Sequence, residues 1–246
     1  AVDGDTIRID NGLYREEICF CGHPLQRGLN NLTILGVGDS PIIRVDIHDV
    51  ANVNECAAEL SGMHRLHLSN IVVWTVCDGY DMARVHNVLF NGCTDLLIED
   101  CVFFSQVYGT GNIYRTFVAT DAASNVCVRN SAIVTCDMTG SNVVHHTATH
   151  DAEPTLFENV LFAGQNVASL EVGDVILRNC VSPNTARDSN RGKRYGGLEI
   201  TDSIDASTFL GEGDDPSTML AHIRAALPQP RVNLLRNAGF STLTGW

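Results

Sequence analysis

The sequence predicts an all-β solenoid, and three observations carry this prediction: a repeated short pattern, the regular spacing of one residue within it, and a glycine-rich, weakly charged composition. In the pattern, apolar residues alternate with others, an Asn or Asp follows, and a second apolar run begins. Such short alternation is strand periodicity, and Asn, Asp and Gly tolerate the left-handed conformation that a sharp corner requires. Each copy therefore predicts a strand, a corner and a second strand. The copies occupy residues 32–38, 66–73, 83–90, 96–103, 126–133, 155–162, 175–181 and 198–204.

The spacing of the corner residue predicts that the copies stack as coils. The interval is about thirty residues over the first four corners and about twenty over the last two. A period of this size is typical of a coiled solenoid with loops of variable length. Asn87 is too close to both Asn70 and Asp100 for a full coil, so we expect either Asn87 or Asp100 to mark a different corner of the same coil. The corner residues are Asn70, Asp100, Asn130, Asn159, Asn179 and Asp202, with Gly36 at the bend of the looser first copy.

The first two coils carry a pattern that is specific for one fold. A Gly-Asp-Thr-Ile strand begins at Gly4 and is followed by a Gly-x-Tyr that ends at Tyr14 and by the acidic Glu16, and residues 31–44 continue with a typical second coil. These segments resemble the right-handed parallel β-helices of the pectin-lyase-like type. The resemblance covers roughly residues 1–206 and implies a right-handed single-stranded parallel β-helix. It implies no single function, because lyases, hydrolases, esterases, epimerases and viral spikes share this scaffold.

The composition suits a strand-rich body and limits the partners. The chain is 44% hydrophobic and only 18% charged, with 21 glycines for tight corners. A net charge of -13 at pH 7 argues against nucleic acid, because phosphate binding requires a basic face. No run of about eighteen apolar residues occurs, so no membrane partner is expected. We expect no cofactor, although calcium is compatible with this charge.

The nine cysteines are expected to be mainly buried thiols. Their odd number and the lack of a paired Cys-x-x-Cys arrangement argue against a zinc knuckle. Cys101 and Cys180 directly follow a corner residue, so their side chains should turn into the core and stack on the neighbouring coil. Some inter-coil or inter-subunit disulfides remain the alternative.

Inserted segments predict a binding face. Residues 105–124, 135–153 and 181–196 are longer than a coil requires and leave from the same side of it, so stacked coils would stack them into one wall. Tyrosines and arginines in these segments suit an anionic polysaccharide, by stacking on sugar rings and pairing with carboxylates. A solvated polar loop is the alternative. The carbohydrate-binding candidates are Tyr108, Tyr114, Arg115, Arg191, Arg194 and Tyr195.

Four further residues are candidates for catalysis. His146 and His150 belong to a histidine cluster, and Asp78 lies close to Asp81. Hydrolases need two or three carboxylates at the scissile bond, and lyases need a base beside a cation. The histidine region reads as strand followed by loop, so the helical spacing that would join two imidazoles on one metal does not apply, and no metal site is expected. Packing histidines and a turn with solvated acids are the alternatives.

The composition changes after residue 206. Residues 216–227 place apolar side chains on one face at helical spacing, with Pro216 at the first position, which predicts a short amphipathic helix that closes or braces the last coil. Residues 232–246 resemble the first strand of a jelly-roll carbohydrate-binding module. We therefore expect a β-helix at 1–206, a linker with a helix at 207–231, and the start of a truncated second module at 232–246.

A β-helix followed by the start of a jelly-roll module resembles the domain order of phage tail or head fibres and spikes. This resemblance favours a virion protein that recognises host polysaccharide. It would be a trimer, with polysaccharide or other virion proteins as partners, in the virion or outside the cell. A secreted polysaccharide lyase, hydrolase or epimerase of the same fold is the first alternative, and a non-catalytic structural or adhesin module is the second. Whether the chain is an enzyme stays open; if it is, we expect a polysaccharide lyase or a glycoside hydrolase.

Overall fold

The computed structural model describes residues 1–15, 18–20, 29–39, 41–47, 54–77, 84–107, 113–120, 123–136, 142–147, 155–163, 166–172, 175–183, 198–201 and 216–228. These residues form three parallel sheets and one α-helix. Within the described ranges, no helix has both the length and the apolar character that crossing a membrane would require.

The strands follow a strict rotation through the three sheets. Sheet A contains, in spatial order, β1 (Thr6–Ile9), β4 (Thr33–Gly36), β7 (His67–Ser69), β10 (Thr94–Glu99), β13 (Ser124–Arg129), β16 (Thr155–Glu158) and β19 (Val175–Arg178). Sheet B contains β2 (Gly12–Tyr14), β5 (Pro41–Ile47), β8 (Val72–Cys77), β11 (Val102–Val107), β14 (Ala132–Cys136), β17 (Leu161–Ala163), β20 (Cys180–Pro183) and β21 (Leu198–Thr201). Sheet C contains β3 (Ile18–Phe20), β6 (Asn54–Ser61), β9 (Arg84–Asn91), β12 (Ile113–Thr120), β15 (Asn142–Thr147) and β18 (Asn166–Val172).

One strand from each sheet makes one coil, and each strand pairs in parallel with its equivalent in the next coil. The first coil is β1 to β3 and the sixth is β16 to β18, so six coils contribute to all three sheets. The register is direct, as in β10 and β13, where Leu96 pairs with Val126 and Ile98 with Val128. The predicted all-β solenoid with a short helix near its C-terminal end is therefore confirmed, with α1 at Pro216–Ala225.

Asp202 lies outside the described ranges, and Gly36 ends strand β4 without a left-handed backbone. The other five predicted corner residues form a column between sheets A and B. Each has a left-handed backbone, with φ between 48° and 57°, which Asn and Asp adopt more readily than other non-glycine residues. The N–H of each of the first four corners donates to the carbonyl just before the next corner, as from Asn70 to Glu99 at 3.1 Å and from Asn130 to Glu158 at 2.9 Å. The corner column consists of Asn70, Asp100, Asn130, Asn159 and Asn179.

Asp100, and not Asn87, is the corner of the fourth coil. Asn87 lies within strand β9 of sheet C and is buried. Its Nδ2 donates to the carbonyl oxygens of Val73 and Phe104, both at 2.9 Å, so the amide joins sheet C to sheet B from inside the solenoid. The amide donor is therefore satisfied, whereas the buried Oδ1 of Asn87 has no partner in the described part of the chain.

A second left-handed column, between sheets C and A, was not predicted. Its members also have positive φ, between 52° and 58°. One of them is an arginine, a residue type that does not mark such a corner in a sequence. The column consists of Asn31, Arg65, Asp95 and Asn125.

Two of the segments predicted as loops contain the third strand of their coils. Residues 105–124 include β12, and residues 135–153 include β15. Each copy of the pattern predicts only two strands of a coil, and in these two coils the third strand lies within the segments that are predicted as loops. The wall of stacked loops is therefore shorter than expected in these two coils, and most of residues 181–196 lies outside the described ranges.

Stacked aromatic rings fill the interior. Phe117 is fully buried and contacts Phe90, Phe103 and Phe157 at centroid distances of 5.3, 5.8 and 6.0 Å. Cys101 and Cys180 are buried and free, as predicted from their place directly after a corner. Inward apolar residues from all three sheets belong to this one cluster.

Helix α1 packs on the outer face of sheet B. Its Leu220 and Ile223 are buried in a second apolar cluster with outward side chains of sheet B, including Val72 and Phe104. Near its C-terminal end, Arg224 Nη1 donates to the carbonyl oxygen of Asp39 at 2.6 Å. The helix therefore braces the side of the solenoid and reaches the second coil, rather than closing the last coil alone. Residues 232–246, expected to begin another module, lie outside the described ranges.

Candidate functional site

Most of the predicted site residues lie outside the described ranges. These are Asp78, Asp81, Tyr108, His150, Arg191, Arg194 and Tyr195. The other three lie on sheet C, with Tyr114 and Arg115 on β12 and His146 on β15.

The backbone separates the candidates on sheet C along the strand direction. Arg115 pairs with Asn142, whereas His146 pairs with Ala119, four residues further along β12. Four residues of parallel strand span roughly 13 Å. The tyrosine and arginine therefore lie near the start of their strand, and the histidine lies near the end of its neighbour.

A cavity of about 340 Å³ lies between α1 and the corner column. It extends over the second to fifth coils, because one to three residues from each of these corners line it. Arg224 and Leu227, at and just after the end of α1, form the opposite wall. The residues of the coils that line it are Gly38, Asp39, Asn70, Asp100, Cys101, Val102 and Asn130.

Glycine makes the close approach at this corner feasible. A Cβ on Gly36 would collide with the carbonyl oxygen of Asn70, and Gly38 has a left-handed φ of 91°. In the space that results, Asn70 Nδ2 donates to the carbonyl oxygens of Gly38 at 2.9 Å and Gly36 at 3.1 Å. The second coil thus supplies backbone acceptors where later coils supply side chains.

Side-chain amides link the later corners in one direction. Asn179 Nδ2 donates to Asn159 Oδ1 at 2.8 Å, and Asn159 Nδ2 donates to Asn130 Oδ1 at 3.0 Å. Each amide therefore gives its proton to the preceding coil. Asp100 interrupts this asparagine ladder, because an ionised carboxylate has no proton to donate to Asn70.

Several residues that line the cavity carry polar atoms without a partner in the described part of the chain. The carboxylate of Asp100 is exposed, and within the described chain neither it nor Asn70 Oδ1 has a hydrogen-bond partner. Asn130 uses its Oδ1 in the ladder, and its Nδ2 has no partner in the same part of the chain. The Arg224 guanidinium carries N–H groups beyond the one bonded to Asp39. The cavity thus offers both hydrogen-bond donors and acceptors beside the apolar Val102 and Leu227.

The outer face of sheet A carries a second polar cluster. Glu99 accepts hydrogen bonds from His67 Nε2 at 2.8 Å and from Arg129 Nε at 2.8 Å and Nη2 at 2.5 Å. Partial burial alone would raise the pKa of Glu99, but the bonds from Arg129 and His67 outweigh it and hold that pKa below its ordinary value of 4.5. Glu158 and Arg178 continue the same register position, so charges alternate along this face.

No metal site is found among the described residues. No group of three or more His, Cys, Asp and Glu side chains comes together there in a way that could hold an ion. The cavity brings two aspartates near one arginine, a set that suits hydroxyl groups better than a bare cation, which prefers several carboxylates.

Sequence reasoning missed both Asp100 and Arg224 as site residues. Arg224 contacts a residue 185 positions earlier, and nothing local predicts that pairing. Asp100 did carry a signal, because it is an aspartate at thirty-residue spacing among asparagines. A break in an otherwise uniform ladder is the kind of exception that often marks a functional position.

Comparisons with known proteins give no relatives for this chain. No protein-family model matches it, and neither a curated protein nor a solved structure matches it.

Proposed function

We propose that this chain is a virion-associated β-helix protein, a component of a phage tail or head fibre or spike, that recognises a polysaccharide on the host surface. The observation that carries the proposal is the mixed polar and apolar cavity held on a rigid stack of coils. Sites on regular elements keep their groups in fixed positions, which suits recognition of a repeating polymer.

The state of the thiols supports assembly in a reducing cytoplasm, as a virion protein would require. Cys93, Cys101 and Cys180 are buried and free. Burial raises the pKa of Cys93 and Cys180 to about 11 and that of Cys101 to about 12, so all three stay protonated and poorly reactive. Buried free thiols that serve as apolar core groups are typical of proteins that fold under reducing conditions.

The enzyme alternative has one observation in its favour. Asp39 and Asp100 line the same cavity as Arg224. Carboxylates beside a cation are the groups that a hydrolase or lyase acting on polysaccharide would use. A secreted lyase, hydrolase or epimerase therefore stays the second candidate, ahead of a purely structural or adhesin module.

Binding and turnover can be measured on the same polysaccharide panel. We expect saturable binding in biolayer interferometry to at least one bacterial surface polysaccharide, with no rise in ultraviolet absorbance from unsaturated uronates and no release of reducing ends. Light scattering should give the mass of a trimer. Turnover would replace the proposal with the enzyme alternative, and absence of binding across the panel would overturn recognition.

A further inference from the structure

We infer that the cavity between helix α1 and the corner column binds one pyranose residue of a polysaccharide, with Asp100 as its main anchor. The inference deepens the proposed polysaccharide recognition and rests on it. It moves the recognition site from the loops and from sheet C to the edge shared by sheets A and B.

The break in the asparagine ladder coincides with the cavity, because Asp100 lines it. Asparagine at the fourth corner would complete a continuous ladder from Asn70 to Asn179, since it would donate to one neighbour and accept from the other. Asp100 forfeits the donated bond, yet it keeps the left-handed corner, with φ 57°. The ladder is broken at the fourth coil, which supplies more of the residues that line the cavity than any other coil.

The residues that line the cavity carry complementary hydrogen-bonding groups. Asp100 and Asn70 Oδ1 are acceptors, and Asn130 Nδ2 and Arg224 are donors. A sugar hydroxyl both donates and accepts one or more hydrogen bonds, so vicinal hydroxyls match an alternation of the two kinds. A simple anion would meet the Asp100 carboxylate, and a simple cation would meet the Arg224 guanidinium.

The size of the cavity and its apolar surface also suit one sugar ring. Its volume of about 340 Å³ falls at the small end of the range for ligand sites, roughly 300 to 1,000 Å³. Val102 and Leu227 give apolar surface for the C–H face of a sugar ring. Helix α1 provides Arg224 and the residues directly after it provide Leu227, so the site exists only when α1 lies against the solenoid.

The test is a titration of the ¹⁵N-labelled full chain with methyl pyranosides of glucose, galactose, mannose, N-acetylglucosamine and glucuronic acid, followed by NMR. We expect at least one pyranoside to shift, in a saturable manner, the side-chain signals of Asn70 and Asn130 and the backbone signal of Asp100. The absence of saturable shifts at these residues with all five pyranosides would overturn the inference.

The discriminating variant is Asp100→Asn. The new amide would donate to Asn70 Oδ1, which a carboxylate cannot do, and would thereby withdraw this acceptor from the ligand. We therefore expect a higher midpoint of thermal unfolding together with binding weakened about tenfold or more, from the lost charged hydrogen bond. Unchanged affinity in this variant would contradict the inference.

Asp95→Asn is the matched control. Asp95 has the same left-handed conformation in the same coil, with φ 56°, but lies in the column between sheets C and A and accepts from Asn125 at 2.6 Å. We expect it to bind pyranosides like the natural chain. If polysaccharide binding survives in Asp100→Asn, the cavity is excluded while the proposed function stands; if the natural chain binds no polysaccharide, the proposed function itself fails.

Discussion

Sheets A and B share one core, but their outer faces differ in polarity. Inward residues of both sheets, such as Ile98 and Phe103, belong to the same apolar cluster. Outside, sheet A carries the charged contacts of Glu99 with Arg129, whereas sheet B carries Val72 and Phe104 under helix α1. One repeated pattern thus produces a solvent-exposed outer face on sheet A and a helix-covered outer face on sheet B.

The difference shows how a covered sheet face can be read from a strand. Strand β10 alternates between buried and half-buried residues at 96–99, as expected for a sheet with one solvent-exposed face. All residues from 71 to 76 and from 101 to 105 are buried, so both faces of these sheet B strands are shielded from solvent. Continuous apolar runs after the corner therefore predict a covering element, even when that element is distant in sequence.

Phe104→Ala should have the largest effect on stability. Phe104 lies on the outer face of sheet B, fully buried and 6.1 Å from the Trp74 ring. We expect the free energy of unfolding in urea to fall by about 3–5 kcal/mol, similar to the inner Phe103→Ala. Leu97→Ala, on the half-buried outer face of sheet A, should cost only about 1 kcal/mol. A cost near 1 kcal/mol for Phe104→Ala as well would show that the two outer faces do not differ.

Ile223→Ala tests the cover directly. Ile223 is fully buried between α1 and sheet B, so its truncation should cost about 2–4 kcal/mol or detach the helix. Hydrogen exchange of the α1 amides should accelerate strongly. The exposed neighbour His222→Ala should change stability by less than about 0.5 kcal/mol. Equal exchange rates in both variants would mean that this side chain does not hold the helix.

Asn159→Ala probes the edge between the two sheets. Asn159 donates to Asn130, accepts from Asn179, and has a left-handed φ of 55°. We expect a loss of about 2–3 kcal/mol from the broken bonds and the strained backbone, measured by chemical denaturation. Asn159→Gly removes the bonds without the strain and should cost about 1–2 kcal/mol. If the glycine variant cost nothing, the ladder would not contribute to stability.

The smallest effect on stability is expected for Glu99, on the solvent-exposed outer face of sheet A, as the pH falls. Because the folded pKa of Glu99 is lowered, its bonds stabilise the fold above pH 4.5 and are lost as the pH falls through the folded value. Glu99→Gln should reduce stability at pH 7 by about 0.5–1 kcal/mol and should weaken the acid dependence. Glu158→Gln removes the same charge without the bonds to His67 and Arg129. An identical acid dependence in the two variants would contradict the role of Glu99.

The sequence predicted the corners better than the site. Corners such as Asn130 and Asn179 could be predicted, because a left-handed backbone restricts the residue type and the period repeats. Asn87 misled the prediction, since an asparagine inside a strand looks like one at a corner until its buried partners are known. The contact of Arg224 with Asp39 depends on how a distant helix docks, and strand periodicity contains no information about that.

The bond between Arg224 and Asp39 also bears on how the molecule melts. Stacked coils contact mainly their neighbours, so a plain solenoid can fray from its ends one coil at a time. Docking of α1 ties the second coil to a segment 185 residues later and closes a long loop over the coils between them. Those coils should therefore lose structure in a single cooperative transition, and release of the helix should turn that transition into gradual unravelling.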